Sequence, residues 1–224
     1  MKKLFTLLAL TITFSMNAQM TDNSSGTSAT GTNAVAMGLN TSASGNFSTS
    51  MGLITTADGT ASTAMGLITT ANGDYSTAMG YYTTASGNYS TAMGYSTTAS
   101  GDNSTVMGEG GTASGAASTA MGRNTTASDY ASLVIGQYNS SGSSVTNNAT
   151  SFSTSNTAFV IGNGADSSNK SDAFKVMFNG DTTVSNDLTV SGDVVISSDA
   201  RLKSNIVSLG STLPKLLQID GKSY

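Results

Sequence analysis

The 224-residue chain contains no Cys and no His, so the usual ligands of zinc, haem and iron–sulfur clusters are missing and a Ser-His-Asp triad has no base. Only 10% of the residues are charged, the formal net charge is -4, and every charged residue from Asp22 to Glu109 is acidic. A nucleic-acid-binding surface therefore has few cations to draw on. We expect no cofactor, no metal and no nucleic-acid partner.

The N-terminus predicts an exported protein. Lys2 and Lys3 precede an apolar run from Leu4 to Met16, which has the length of a signal-peptide core and is too short to span a bilayer. We expect cleavage after Ala18, so that residues 1–18 are the signal peptide. No second apolar run follows, and we therefore expect no transmembrane anchor and a location in the medium or at the outer surface.

A 14-residue repeat follows. Met-Gly recurs at this interval from Met37 to Met121, Ile135-Gly136 completes the series, and an Ala column lies half a period away. Each repeat contains two short segments that are rich in Ser and Thr and end near a Gly, which favours strands over helices. One such repeat matches a coil of a β-solenoid, so we predict an all-β parallel β-roll over residues 19–140.

Alternation along a strand predicts which side chains face the interior of the coil. In the second segment of each repeat we place the Ala column and the column of Thr41 inside, with the column of Thr56 facing water. In the first segment we place the Met column inside. The small residues on its other face are then predicted to form a trimer interface: Ala64, Ala78, Ala92, Val106, Ala120 and Val134.

The repeats resemble a known family. Ser76-Thr77-Ala78-Met79-Gly80 and Thr84-Ala85-Ser86-Gly87 are similar to the head repeats of trimeric autotransporter adhesins of the YadA type, and the resemblance covers about residues 27–140. It implies left-handed parallel β-rolls, three of which pack into one rod. It also implies a homotrimer that binds or spaces at a cell surface.

Variable positions at the turns of the coils provide candidate binding residues. Aromatic side chains there have an apolar ring and a polar tip, which suits contact with a host or surface protein or a glycan. The alternative that they only cover neighbouring coils stays open. The candidate ligand-contact residues are Tyr75, Tyr81, Tyr82, Tyr89 and Tyr95.

The repeat columns raise two other possible functions. The outward Thr column raises an ice-binding solenoid as a remote alternative, but the second outward position varies among Ser, Asp and Asn, which disfavours an ordered water lattice. The Met column is interpreted as a packing element rather than a metal site.

Residues 141–197 are predicted to be a linker and a short β-stem. Ser140 to Asn156 is a polar run that is typical of a loop. Ala158 to Gly162 resembles another coil strand, but it follows the series by 26 residues, which predicts a break in register. Turn residues then separate several short strand-like segments. These segments are 173–180, 182–184, 188–190 and 194–196.

Residues 198–224 resemble the opening of the intramolecular chaperone domain of phage endosialidase tailspikes and related tail fibres. The resemblance implies a trimerising domain that begins with a helix near Leu213 to Ile219, and we expect that the open reading frame is truncated. It also implies self-cleavage between Ser198 and Asp199 with Lys203 as the base, which requires a lowered Lys pKa. The alternative is that Ser198 and Asp199 cap a turn and that Lys203 is solvated.

These patterns lead to one main prediction and one alternative. The main prediction is an exported, homotrimeric, adhesin-like fibre that binds or spaces at a surface and turns over no external substrate. The alternative is a self-cleaving protein of the tail-fibre type, whose chaperone domain drives trimer folding.

Overall fold

The structure, a computed structural model, describes residues 20–21 and 25–192. The chain divides into two compact units after Asp187, and all the strands of the described residues lie in the first unit. These residues form twenty strands and no helix. The predicted signal peptide and the predicted chaperone segment lie outside the described residues.

The repeat folds as a parallel β-solenoid of eight coils, as predicted. Each coil contributes one five-residue strand and one two-residue strand. The longer strands are β3 (Val35–Leu39), β5 (Thr49–Leu53), β7 (Thr63–Leu67), β9 (Thr77–Tyr81), β11 (Thr91–Tyr95), β13 (Thr105–Glu109), β15 (Thr119–Arg123) and β17 (Leu133–Gln137). The shorter strands are β2 (Ser28–Ala29), β4 (Ser42–Ala43), β6 (Thr56–Ala57), β8 (Thr70–Ala71), β10 (Thr84–Ala85), β12 (Thr98–Ala99), β14 (Thr112–Ala113) and β16 (Thr126–Ala127).

The two kinds of strand form two sheets. The shorter strands make an eight-stranded sheet, and the longer strands belong to a twelve-stranded sheet. Pairing is parallel with a shift of one repeat, so that Met79 lies beside Met65 on one side and Met93 on the other. The larger sheet begins with β1 (Met20–Thr21) and ends with β18 (Thr157–Asn163), β19 (Asp172–Met177) and β20 (Thr182–Val184).

Close stacking of the coils explains the Gly that follows each Met. Gly80 has φ +127°, and a Cβ placed on it would lie 2.1 Å from the carbonyl oxygen of Gly94 in the next coil. Because neighbouring strands are only about 4.8 Å apart, this position accepts no side chain. The same approach recurs along the column, which is why Gly is found at this position of every coil.

The interior of the solenoid is lined by small side chains, which corrects the prediction for the first strand. The residues predicted to form the trimer interface are completely buried within the single chain, whereas Met37 is 37% exposed and the other Met side chains of the column are only partly buried. A 14-residue coil has room between its two sheets for Ala, Ser and Thr but not for a Met in every layer. The residues that were predicted as a trimer interface and instead lie in the core are Ala64, Ala78, Ala92, Val106, Ala120 and Val134.

The prediction for the second strand is confirmed. The Ala column, exemplified by Ala85, and the Thr column, exemplified by Thr83, are completely buried, while Thr84 between them is only partly buried. Both sheets therefore place small residues against each other in the interior.

The interior composition is adjusted coil by coil. In one coil Ser50 replaces the usual Ala, and its Oγ lies 2.7 Å from Oγ1 of Thr55. In a later coil, Ala78 takes the place of Ser50 and Thr83 the place of Thr55. The buried hydroxyl of Thr83 has no hydrogen-bond partner among the described residues. In another coil Val106 is opposed by Gly111, where the other coils have the larger Thr or Asn.

The predicted break in register after Ile135 is wrong. The strand β18 pairs in parallel with β17, and Ile161 lies beside Ile135. The intervening residues loop out of the coil and are held by Asp129, whose carboxylate accepts the backbone N–H groups of Thr146 at 2.6 Å and Thr157 at 2.8 Å. An insertion that is looped out leaves the stacking of the strands unchanged.

The solenoid ends in an antiparallel hairpin. The strands β19 and β20 pair as predicted around a turn that contains Gly180 with φ +93°. The prediction of a strand at 188–190 is wrong, because these residues pair with no strand in the described part of the chain and Leu188 is 72% exposed. The segment predicted as a strand at 194–196 lies outside the described residues.

Candidate functional site

The outward face of the twelve-stranded sheet carries a continuous row of half-buried apolar side chains. The row consists of the Met column followed by Ile135 and Ile161, which is aligned by the pairing of β17 and β18. Thr side chains flank it on one side over most of its length. We call this surface the Met stripe. Its members are Met37, Met51, Met65, Met79, Met93, Met107, Met121, Ile135 and Ile161.

The Met stripe has the character of an interaction surface. It runs over all eight coils without a charged residue, and the next outward position in the first five strands is also apolar or aromatic, from Leu39 to Tyr95. Contiguous exposed apolar area of this kind on a soluble protein marks a contact with another molecule. The charged pair of Glu109 and Arg123, whose nearest atoms are 3.6 Å apart, occupies the equivalent position in the later coils.

The predicted ligand-contact tyrosines lie in two groups on opposite edges of the sheet. Tyr75 and Tyr89 stack with ring centroids 5.1 Å apart and planes inclined by 2°. On the other edge the ring of Tyr81 contacts Tyr82 at 4.5 Å and Tyr95 at 5.4 Å. All of them are exposed, which leaves the rings accessible in the single chain. Their role in binding stays a prediction.

Several of these bulky residues have a left-handed backbone. Tyr75 has φ 58°, Tyr82 has φ 55°, and Ile54 has φ 56°. A left-handed conformation costs roughly 1–2 kcal/mol for a residue with a Cβ, and it is most easily accepted by Gly and Asn. In later coils the equivalent positions are occupied by Asn103 and Asn124. Asn is one of the residues that adopt a left-handed backbone most readily.

The left-handed backbone recurs at these turn positions along the solenoid, and in the middle coils they carry exposed bulky side chains. The aromatic and β-branched residues gain little from burial there, since Tyr75 is 55% exposed and Tyr89 is 59% exposed. Residues that are both strained and exposed are enriched at functional sites. The sequence located the tyrosines, but only the backbone geometry reveals the strain that they bear.

The Tyr81 hydroxyl stays protonated at neutral pH. Desolvation by neighbouring atoms raises the pKa of Tyr81 above its ordinary value, and the nearby hydroxyl of Tyr82 raises it further.

The acidic side chains along the other edge have a structural role. Asp74 accepts the N–H of Thr60 at 2.7 Å, and Asp102 accepts the N–H of Asn88 at 2.9 Å, so each connects adjacent coils. Within residues 20–21 and 25–192, no group of three or more acidic residues is arranged to hold a metal ion.

The residues predicted for self-cleavage, Ser198, Asp199 and Lys203, lie outside the described residues, so the cleavage hypothesis stays a prediction. In the part of the chain that the structure describes, no helix is long and apolar enough to cross a membrane.

The described residues form a parallel β-solenoid, and its repeats are similar to those of a known family. Residues 29–53, 57–83, 85–109 and 113–139 match the model of the YadA head domain repeat, two copies. The match supports the resemblance to trimeric autotransporter heads and implies a cell-surface or exported protein. No curated protein matches the chain.

Proposed function

We propose that the chain forms the head of a homotrimeric, exported fibre that contacts a surface through the edges of its solenoid. The Met stripe carries this proposal. It is apolar, uncharged and half-buried in the single chain, and it is repeated in every coil. Head domains of the matched family form homotrimers, which fits a face that needs a partner of the same length and period.

The sheet face that carries the Met stripe is large enough for a stable interface. Eight strands at about 4.8 Å spacing extend about 38 Å, and five residues at about 3.3 Å each extend about 17 Å. The product is about 650 Å² per chain, close to the roughly 800 Å² that each partner contributes to a standard interface. Because the interior contains only small side chains, association on this face would add the apolar burial that each coil lacks.

Light-scattering mass of the full chain tests the trimer. We expect the mass of three chains for the wild type and a loss of trimer for the double variant Met79→Lys/Met93→Lys, because an interface would desolvate the added charges. The matched control is Thr84→Lys, which places a charge on the outward side of the other sheet and should leave the trimer intact. A folded wild-type monomer, or a stripe variant that stays trimeric, would contradict the proposal.

The contact with a ligand is assigned to the strained aromatic corners. Replacing Tyr75 and Tyr89 with Asn removes both rings while supplying a residue that tolerates the left-handed backbone. We expect the double variant to keep its thermal stability and lose retention on immobilised glycans and matrix proteins that bind the wild type. Undiminished retention would show that this edge is not the ligand contact.

The alternative of a self-cleaving fibre can be tested separately on the full chain. If the Ser and Lys act as predicted, mass spectrometry detects cleavage between Ser198 and Asp199, and Ser198→Ala abolishes it while Ser204→Ala does not. Equal cleavage of wild type and Ser198→Ala would reject the assigned nucleophile.

A further inference from the structure

We propose that a polar pocket beside the last coil binds a sugar that bears a carboxylate. The pocket has a volume of about 460 Å³, which lies within the roughly 300–1,000 Å³ typical of small-ligand sites. The open pocket is lined by the loop that follows β17, the connection from β18 to β19, and the two hairpin strands with the residues after them. Its lining includes Ser141, Asn163, Lys170, Asp172, Lys175 and Thr183.

The pocket concentrates positive charge in an acidic chain. The structure describes three basic residues, and two of them, Lys170 and Lys175, line this pocket. The third, Arg123, pairs with Glu109, whereas neither pocket Lys forms an ion pair with any described residue. Two lysines that line one cavity without an ion pair among the described residues favour an anion there.

Asp172 limits the charge of that anion. Its two carboxylate oxygens accept the backbone N–H groups of Ser140 and Ser141, each at 2.8 Å, and so hold one wall of the pocket. With this carboxylate present, the formal charge of the lining is about +1 from two Lys and one Asp. A carboxylate matches this balance, whereas a phosphate dianion or a polyanion would be left with excess negative charge.

The neutral part of the lining fits a ligand with many hydroxyl groups. The remaining side chains are Ser and Thr hydroxyls and Asn amides, and no aromatic or aliphatic residue is among them. Ser171 donates to Oδ1 of Asn163 at 2.7 Å, which leaves the amide N–H groups of Asn163 directed to other acceptors. Such a lining favours a sugar acid over an aromatic or aliphatic acid.

Both lysines extend from ordered backbone. Lys175 lies on β19, which is paired with β18 on one side and β20 on the other. Lys170 follows a turn in which Asp166 accepts N–H groups of Ser168 at 2.8 Å and Asn169 at 2.9 Å. Pre-organised backbone lowers the entropy cost of binding.

Calorimetric titration of the full chain with D-glucuronate tests the inference. We expect D-glucose, which lacks the carboxylate, to bind at least tenfold more weakly, and the affinity for D-glucuronate to fall with added salt. Lys175→Met retains an aliphatic side chain of similar length and should weaken binding at least tenfold. Arg123→Met removes the described cation outside the pocket and should change the affinity by less than twofold.

Four results would overturn the inference: equal binding of glucose and glucuronate, unchanged affinity in Lys175→Met, equal or tighter binding of inorganic phosphate, or no heat of binding with millimolar glucuronate. The trimer proposal is independent, because it is decided by mass. A trimer that does not bind glucuronate refutes the pocket alone, while a monomer that binds it refutes the trimer alone.

Discussion

The pairing of Val106 with Gly111 allows a quantitative test of the packing inside the solenoid. Val106 is completely buried, and a Cβ built on Gly111 would lie 2.9 Å from its Cγ2 atom. The preceding coil has Ala92 and Thr97 at the equivalent positions. The larger residue of the pair therefore lies on the side of the longer strands in the coil of Val106 and on the side of the shorter strands in the coil before it. In the coil of Val106, this close approach leaves no room between the sheets for Thr at position 111.

Each single substitution is therefore expected to be costly. Gly111→Thr forces the new side chain against Val106, and overpacking of this kind costs about 1–3 kcal/mol of the free energy of unfolding. Val106→Ala removes two buried methyl groups at about 0.8 kcal/mol each, and the residual cavity raises the cost to about 2 kcal/mol. The double variant reproduces the Ala and Thr pair of the preceding coil and should lose less than about 1 kcal/mol.

The coupling between the two sites is the decisive quantity. If the singles together cost about 4 kcal/mol and the double about 1 kcal/mol, the double-mutant cycle gives an interaction of about 3 kcal/mol. Urea unfolding followed by circular dichroism, at one fixed chain concentration, measures it. Ala92→Val/Thr97→Gly provides the reciprocal control. Additive costs would refute the view that the side chains at positions 106 and 111 compete for the same space.

Three further predictions concern single groups. Ala78→Ser supplies a partner to the buried Thr83 hydroxyl and should raise the free energy of unfolding by about 1 kcal/mol in urea titrations, whereas a loss would mean that the coil has no room for the hydroxyl. Asp129→Ala removes the acceptor of two backbone N–H groups and should cost about 2–4 kcal/mol, with faster hydrogen exchange of both amides; unchanged exchange would contradict this. Hydrogen bonds from Asn169 lower the pKa of Asp166. Its stabilising contribution is therefore present above the unfolded-state pKa of about 3.9 and is lost as pH falls through the lower folded value. Asn169→Ala should raise the pKa in a carboxylate NMR titration.

Much of the fold could be predicted because the repeat carries it. A period of 14 residues with Gly after each Met sets the length of the coil and the position of its turns. The second strand was predicted correctly because its outward column, represented by Thr84, is polar while Ala85 beside it is small and apolar. The hairpin of β19 and β20 was marked by its turn residues.

The candidate sites were only partly predictable. The tyrosines at the coil corners are visible as exceptions to the repeat, but the strain at Tyr75 is a property of the backbone. The pocket with Lys170 and Lys175 has no signal in the sequence, because its walls come from segments separated by up to 46 positions, from Ser140 to Asn186.

The sequence by itself determined that the chain is a repetitive all-β solenoid, because period and glycine placement are local properties. The tertiary structure decided which face of the first strand is inside. Both faces of that strand are apolar, so alternation separates Ala78 from Met79 but does not choose between them. The narrow space between the two sheets makes the choice, since it accepts a small residue in every layer and leaves Met outside. Stacking likewise decided the register of β18, because strand pairing depends on the coil beneath and not on the number of residues looped out.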